Sequence, residues 1–185
     1  MRKTTLRTRV LTGAVAAAAL GAVTVGAVAA SADTGSGTPA AATAAAAGNR
    51  YVVESSHLSV DAASRAAQAA LDAAEQAGQH VSVAVVDRNG NTIVALRGDG
   101  AGPQSPESAQ RKAFTAVSWN APTSELAKRL AQAPNLKDIP GTLFLAGGAP
   151  VQAKGAPVAG IGVAGAPSGD LDEQFAQAGA AALAR

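Results

Sequence analysis

The chain has 185 residues, of which 48% are apolar, 15% charged and 3% aromatic, and it contains no cysteine. A chain of this length is typical of one domain. The lack of cysteine excludes a disulfide scaffold, cysteine-ligated zinc, an iron–sulfur cluster and thiol catalysis. Alanine supplies 49 residues, so the core must depend on close contact between helices and a sheet, because alanine buries little area.

Charge is unevenly distributed along the chain. The first 32 residues hold four of the 15 bases and none of the 13 acids, so the remainder has 11 bases, 13 acids and a net charge of −2. A mildly acidic remainder with few aromatic residues argues against nucleic acid as a partner. The basic start and the apolar run over 10–30 predict a signal peptide at residues 1–32 and a secreted, extracellular protein. An uncleaved anchor helix is the alternative interpretation of this run.

Residues 33–50 are small, almost uncharged and of low complexity, which predicts a flexible linker. A single domain is expected over residues 51–185. Its first helix is predicted over residues 60–77, because Ser59 can cap its start and Gly78 can end it.

Apolar runs between turn residues predict five strands, at 81–86, 92–97, 142–146, 151–153 and 157–164. The turn Asp87-Arg88-Asn89-Gly90 makes the first two a hairpin. Three more helices are predicted, over 107–119 after a Ser105 cap, over 124–132 after Thr123, and from a Ser168 cap to about 183. Since no long crossovers alternate with the strands, we expect an α/β (α+β) fold with a largely antiparallel five-stranded sheet and helices packed on it.

Few residues suit catalysis. The two histidines, His57 and His80, lie outside any nucleophile motif, and neither a Gly-x-Ser-x-Gly elbow nor a phosphate-binding glycine loop is present. No catalytic residue is therefore assigned.

Acidic residues at helical spacing are candidates for a metal site. Asp72 and Glu75 lie three residues apart on one helix face and could hold a hard cation, although solvated acid pairs of this kind are common. Asp170 and Glu173 repeat the spacing, but the positive start of a helix explains them more simply. Glu107 could form an ordinary helical pair or, with the neighbouring bases, a clamp for an acidic ligand.

The segment from Pro140 to Pro150 is a short apolar run framed by glycine and proline. Glycine allows a flat ligand or another backbone to approach closely. Turns between strands explain most of these glycines as well, so the segment by itself only suggests a binding surface.

Over residues 57–185 the sequence resembles the GlcG/HbpS family, a haem-degrading, DUF336-type domain. The resemblance depends on five stretches together: LSVDAASRAAQAALDAAEQAG, VSVAVVDRNGNTIVALRGDGA, SAQRKAFTAVSW, IPGTLFLAGGAPV and VAGIGVAGAPSGDLDEQFAQAG. It implies an α/β domain that assembles into octamers and binds haem. In secreted members it implies partnership with a membrane sensor kinase under haem or oxidative stress.

The resemblance also assigns site residues. It places a haem-contacting hydroxyl at Thr142, an iron-binding histidine at His57, and an acidic pair at Glu107 and position 110. Gln110 departs from that pair, because a neutral amide binds ferric iron less well than a carboxylate.

The chemistry of haem adds four residues to this predicted site. Phe114 and Phe144 are expected as apolar walls, and Arg111 and Lys112 as partners of the propionates.

We therefore expect a secreted, homo-oligomeric protein that binds haem b, and iron ions, as an accessory to a sensor kinase. A haem-degrading enzyme and a small-molecule-binding oligomer without haem are the alternatives.

Overall fold

The computed structural model describes residues 45–184, so the predicted signal peptide and most of the predicted linker lie outside the described residues. The helices and strands in this range are α1 (Val60–Gln76), β1 (Ser82–Asp87), β2 (Thr92–Arg97), α2 (Ser105–Trp119), α3 (Thr123–Lys128), β3 (Gly148–Ala153), β4 (Ala156–Ala164) and α4 (Gly169–Ala181). Short 3₁₀ turns occur at Asn49–Tyr51, Arg129–Ala131 and Pro134–Asp138. No helix within residues 45–184 is long and apolar enough to cross a bilayer.

The four strands form one antiparallel sheet in the order β2-β1-β4-β3. The central pair is β1 and β4, in which Val83 lies opposite Val163 and Val85 lies opposite Ile161. The α+β class and the antiparallel pairing are confirmed. The expectation of five strands is wrong, since the sheet has four.

The two faces of the sheet pack against different helices. Ile161 and Val163 of β4 lie in the main apolar core with α1 and α4. The alternate residues of the same strand, Gly160 and Gly162, face α2. Because successive side chains of a strand point to opposite faces, small and large residues alternate over residues 160–163 of β4, and the sheet lies between α1 and α4 on one side and α2 on the other.

Glycine allows α2 to lie directly on the sheet. A Cβ added at Gly160 would overlap the carbonyl oxygen of Ala113, and one added at Gly162 would overlap the carbonyl oxygen of Ala109. At these two glycines the contact between α2 and β4 is therefore backbone against backbone, which sets how closely α2 lies on the sheet.

Two predicted helix caps are confirmed. Ser59 accepts a hydrogen bond from the amide of Ala62, and Ser168 accepts one from the amide of Leu171, each at 3.2 Å. Ser105 is not a cap: it is the first residue of α2, and its buried hydroxyl donates to the carbonyl of Gly102 at 2.7 Å.

Residues 142–146, which were expected to form a strand, form a loop. Side chains of α2 bind its backbone where a neighbouring strand would otherwise do so. The Arg111 guanidinium donates to the carbonyl of Thr142 at 2.7 Å, and the hydroxyl of Thr115 accepts from the amide of Leu143 at 2.8 Å. The loop therefore crosses α2, and β3 begins only at Gly148.

Thr123 binds the far end of the same loop. Its hydroxyl accepts from the amide of Gly148 at 2.7 Å, and it donates to the buried Glu173 carboxylate at 3.3 Å. Thr123 is thus the first residue of α3 and a bridge between elements, not the predicted helix cap.

Candidate functional site

A cleft of about 300 Å³ lies between α2 and the β1–β2 hairpin. The strands and their turn, α2 and the loop before Thr142 all contribute to its lining. The lining residues are Val86, Gly90, Thr92, Gln110, Arg111, Phe114 and Gly141. Among the described residues, the Arg111 guanidinium is the one charged group of this lining.

The Phe114 ring forms the apolar wall of this cleft, and two glycines leave room for it. A Cβ added at Gly90 would lie 2.8 Å from Cε2 of the ring, and one at Gly141 would lie 3.6 Å from Cε1. Both glycines have positive φ, at 90° and 80°, which other residues adopt at a cost. The turn and the loop therefore come close to the ring because both carry glycine at these points.

Arg111 supplies the positive charge of the cleft. Its Nη2 donates to the carbonyl of Thr142, while its Nη1 lies 3.8 Å from the Glu107 carboxylate. The Glu107 side chain is 79% exposed and the Arg111 side chain is 41% exposed, so solvent weakens this pair. The guanidinium is thus held in place by the loop and retains capacity for an acidic ligand.

The structure brings only some of the predicted haem residues together. Arg111 and Phe114 both line the cleft. Thr142 follows the lining residue Gly141, but it is 1% exposed and its hydroxyl donates to the carbonyl of Ile139 at 2.7 Å. Phe144 is buried and packs edge-on against Trp119 with ring centroids 5.2 Å apart. Neither side chain lines the cleft.

Lys112 is separated from its neighbour Arg111. Its ammonium is buried, lies 2.7 Å from the Asp172 carboxylate and donates to the carbonyl of Val163 at 3.0 Å. Burial raises the pKa of Asp172, and the nearby ammonium opposes that rise. Lys112 therefore takes part in a buried ion pair, on the side of α2 away from the cleft, where it is not available to a propionate.

A second cavity of about 430 Å³ lies beside this ion pair. The residues that line it are Lys112, Leu145, Ala146, Gly169, Asp170 and Asp172. Asp170 and Glu173 do not form a common site, because Glu173 is buried and accepts hydrogen bonds from the amide and hydroxyl of Ser124 at 2.9 and 2.5 Å.

The predicted metal ligands are dispersed. His57 bonds to the hydroxyl of Ser55 at 2.7 Å, Asp72 accepts from the side chain of Gln68 at 2.7 Å, and Glu75 is exposed on α1. Glu107 lies on α2. Within residues 45–184 no three histidine or acidic side chains are grouped to hold a metal, so iron binding by these residues stays a prediction.

Asp87 organises the hairpin turn next to the cleft. Burial acts to raise the pKa of its carboxyl group, but hydrogen bonds from the Asn91 side chain and from the amides of Asn91 and Asn89 outweigh it. The pKa of Asp87 is therefore lower than usual, with a smaller contribution from His57, whose Nδ1 lies 3.9 Å away. The ionised carboxylate binds the residues on either side of Gly90, whose own amide donates to the backbone carbonyl of Asp87 at 3.0 Å.

Sequence reasoning did not assign Val86, Gly90, Thr92, Gln110 or Gly141 to the haem site. The Asn-Gly turn and the Pro-Gly pair were visible as turns, but their approach to Phe114 depends on tertiary contacts. Gln110 was noted only as a departure from an acidic pair.

The fold and cleft define an α+β domain with a mainly neutral site, in which Arg111 is the one cation among the described lining residues. Residues 58–181 match the family model described as haem degrading protein HbpS-like. The chain belongs to this family. A comparison with curated protein sequences found no match.

Solved structures agree with this assignment. A double mutant of HbpS from Streptomyces reticuli is 78% identical, with 77% of this chain and 97% of that chain covered and a TM-score of 0.75. A second structure of HbpS is 79% identical, with coverage of 74% and 97% and a TM-score of 0.73. A complex of PduOC with haem is 28% identical, with coverage of 69% and 95% and a TM-score of 0.63.

Proposed function

We propose that the protein binds haem in the cleft between α2 and the β1–β2 hairpin. Haem is a flat apolar ring with two carboxylates at one edge, so its site needs apolar surface beside a cation. The cleft offers the Phe114 ring, flanked by Gly90 and Gly141, together with the Arg111 guanidinium. This pairing of ring and guanidinium is the observation that carries the proposal.

Family membership and the haem complex of PduOC support the same ligand. Bound haem would supply a redox-active iron. The residues of this chain would hold the ring against Phe114 and its carboxylates near Arg111. Thr142 would act as a positioning residue, because its carbonyl oxygen fixes the guanidinium.

Titration with haemin, followed by the Soret absorbance, tests this site. Arg111→Gln removes the charge, and we expect it to weaken haem binding about tenfold, or about 1.4 kcal/mol. Arg129→Gln is the matched control, because it makes the same charge change on an exposed residue outside the cleft. No Soret change with the unaltered protein, or equal affinities for the two variants, would contradict the proposal.

We also propose that the protein is secreted and acts as a haem- and redox-stress accessory to a membrane sensor kinase. The signal peptide predicted for residues 1–32 supports export, and the resemblance to secreted family members supports the kinase partner. A difference in kinase autophosphorylation between haem-loaded and haem-free protein is the expected result.

A closed homo-oligomer, with eight subunits by family resemblance, is part of this proposal. The described domain exposes several large apolar side chains, and such surface commonly marks an interface. These residues are Tyr51, Val52, Val53, Val60, Ile139 and Leu145.

Haem degradation is a second candidate function, favoured by the description of the family as haem degrading. Incubation of the haem complex with ascorbate as the reductant and dioxygen as the oxidant separates the two functions. Repeated turnover, with loss of the Soret band and release of iron, indicates an enzyme, whereas a stable Soret band indicates a binding protein.

A further inference from the structure

Two side chains of α2 bind one peptide unit of the loop beside the cleft. The Arg111 guanidinium donates to the carbonyl of Thr142 at 2.7 Å. The amide of Leu143 donates to the hydroxyl of Thr115 at 2.8 Å. This carbonyl and this amide belong to the same peptide bond, between residues 142 and 143. Because α2 satisfies both hydrogen-bonding groups of that peptide, the helix sets its orientation.

The Thr115 hydroxyl suits this role because its own hydrogen is already used. It donates to the carbonyl of Arg111, one helical turn earlier, at 2.7 Å. A hydroxyl has one hydrogen and two lone pairs, so its oxygen accepts from the Leu143 amide and cannot reverse the bond. The three bonds join the backbone of Arg111, through Thr115 and the loop peptide, to the Arg111 side chain. Thr115 is buried, so bulk water does not compete for these bonds.

The bound peptide lies next to two groups that line the cleft. It directly follows Gly141, and a Cβ added at Gly141 would lie 3.6 Å from the Phe114 ring. A shift of the peptide would therefore change how closely the loop approaches the ring. Rotation of the same peptide would withdraw the carbonyl that fixes the Arg111 guanidinium. Thr115 itself is not one of the residues that line the cleft.

We propose that Thr115 is a positioning residue of the haem site. It fixes the loop peptide, and through that peptide both the approach of Gly141 to the ring and the direction of the Arg111 guanidinium. This inference rests on the proposed haem site. It goes beyond that site by giving a buried hydroxyl, which lies outside the cleft lining, control over the affinity for the ligand.

Haemin titration of the full protein, followed by the Soret absorbance, tests the inference. Thr115→Val keeps the branched shape of the side chain but removes the acceptor of the Leu143 amide, so we expect haemin affinity to fall about tenfold. Thr115→Ala, which removes the hydroxyl with less bulk, should give a similar loss and serves if the valine variant does not fold. Thr115→Ser keeps the hydroxyl and should bind within about twofold of the unaltered protein.

Ser118→Ala is the matched control for these variants. The Ser118 hydroxyl donates to the carbonyl of Phe114 at 2.7 Å, which is the same bond over one turn of α2, but Ser118 is exposed. Its loss should leave haemin affinity unchanged. Hydrogen exchange of the Leu143 amide in ligand-free protein should be faster in Thr115→Val than in Ser118→Ala, because only the first variant removes the partner of this amide.

A double variant separates positioning from a general loss of stability. Arg111→Gln leaves no guanidinium to direct, so adding Thr115→Val to it should weaken haemin binding by about threefold or less. An equal fold loss with and without Arg111, or an unchanged affinity in both hydroxyl-free single variants, would overturn the inference and leave the haem site standing. If haemin gives no Soret change with the unaltered protein, the haem site is wrong and the inference falls with it.

Discussion

Replacing Gly162 with alanine tests how closely α2 lies on the sheet. The added Cβ would overlap the carbonyl oxygen of Ala109 and would lie 2.5 Å from the amide nitrogen of Ala113. Both atoms belong to the backbone of α2, which cannot rotate away as a side chain can. The helix must therefore move outward from β4.

The cost follows from two opposing effects. Overpacking of a well-packed interior costs about 1–3 kcal/mol, and a backbone obstacle places Gly162→Ala near the upper end. Alanine also reduces the conformational freedom of the unfolded chain, which stabilises the folded state by about 0.4–1 kcal/mol. We expect a net loss of about 2 kcal/mol, which is a large part of a total stability of about 5–15 kcal/mol.

Urea unfolding followed by circular dichroism measures this loss as a lower midpoint with an unchanged slope. Gly102→Ala is the matched control, because its added Cβ would meet only the flexible end of the Gln104 side chain. Since α2 also carries Arg111 and Phe114, Gly162→Ala should weaken haem binding and the control should not. Equal unfolding midpoints for the two variants would refute the argument that backbone contact sets the position of α2.

Two further predictions concern charged groups. Lys112→Met leaves the Asp172 carboxylate buried without its cationic partner, so it should lower the free energy of unfolding by about 3–5 kcal/mol. Adding Asp172→Asn should recover part of that loss. Urea unfolding of the two single variants and the double variant checks this, and additive losses would contradict it. Because the pKa of Asp87 is lower in the folded state, its ionised carboxylate stabilises that state above the unfolded pKa of about 3.9. This stabilisation is lost as pH falls through the lower, folded pKa. Asp87→Asn should therefore flatten the fall in unfolding midpoint between about pH 5 and pH 2, and an unchanged fall would argue against the turn carboxylate as its source.

Local signals in the sequence predicted the elements that depend on few neighbours. Ser59 and Ser168 each cap a helix through an amide three residues away, and the Asp87–Gly90 turn closes a hairpin between adjacent strands. Such contacts span a few residues, so residue type and spacing were sufficient. The same holds for the family, whose characteristic stretches could be read directly from the chain.

The loop at 142–146 shows where sequence reasoning was insufficient. Its apolar residues between glycine and proline are typical of a strand, and nothing local indicates otherwise. The partners of its backbone are side chains of Arg111 and Thr115, which lie 31 and 28 residues earlier. Only the packing of α2 on the sheet decides that these groups, rather than a neighbouring strand, bind the loop.

The sequence by itself determined the helices α1 and α4, the hairpin and the family, and it predicted Arg111 and Phe114 among four haem contacts drawn from the chemistry of haem. The tertiary structure decided that the Lys112 side chain lies away from Arg111 and Phe114, because adjacent helical residues point about 100° apart. Its partner Asp172, 60 residues later in the chain, lies on the buried side. It also decided that Gly90 and Gly141 form the cleft around Phe114. These outcomes depend on distances between segments far apart in the chain, which residue type and spacing do not encode.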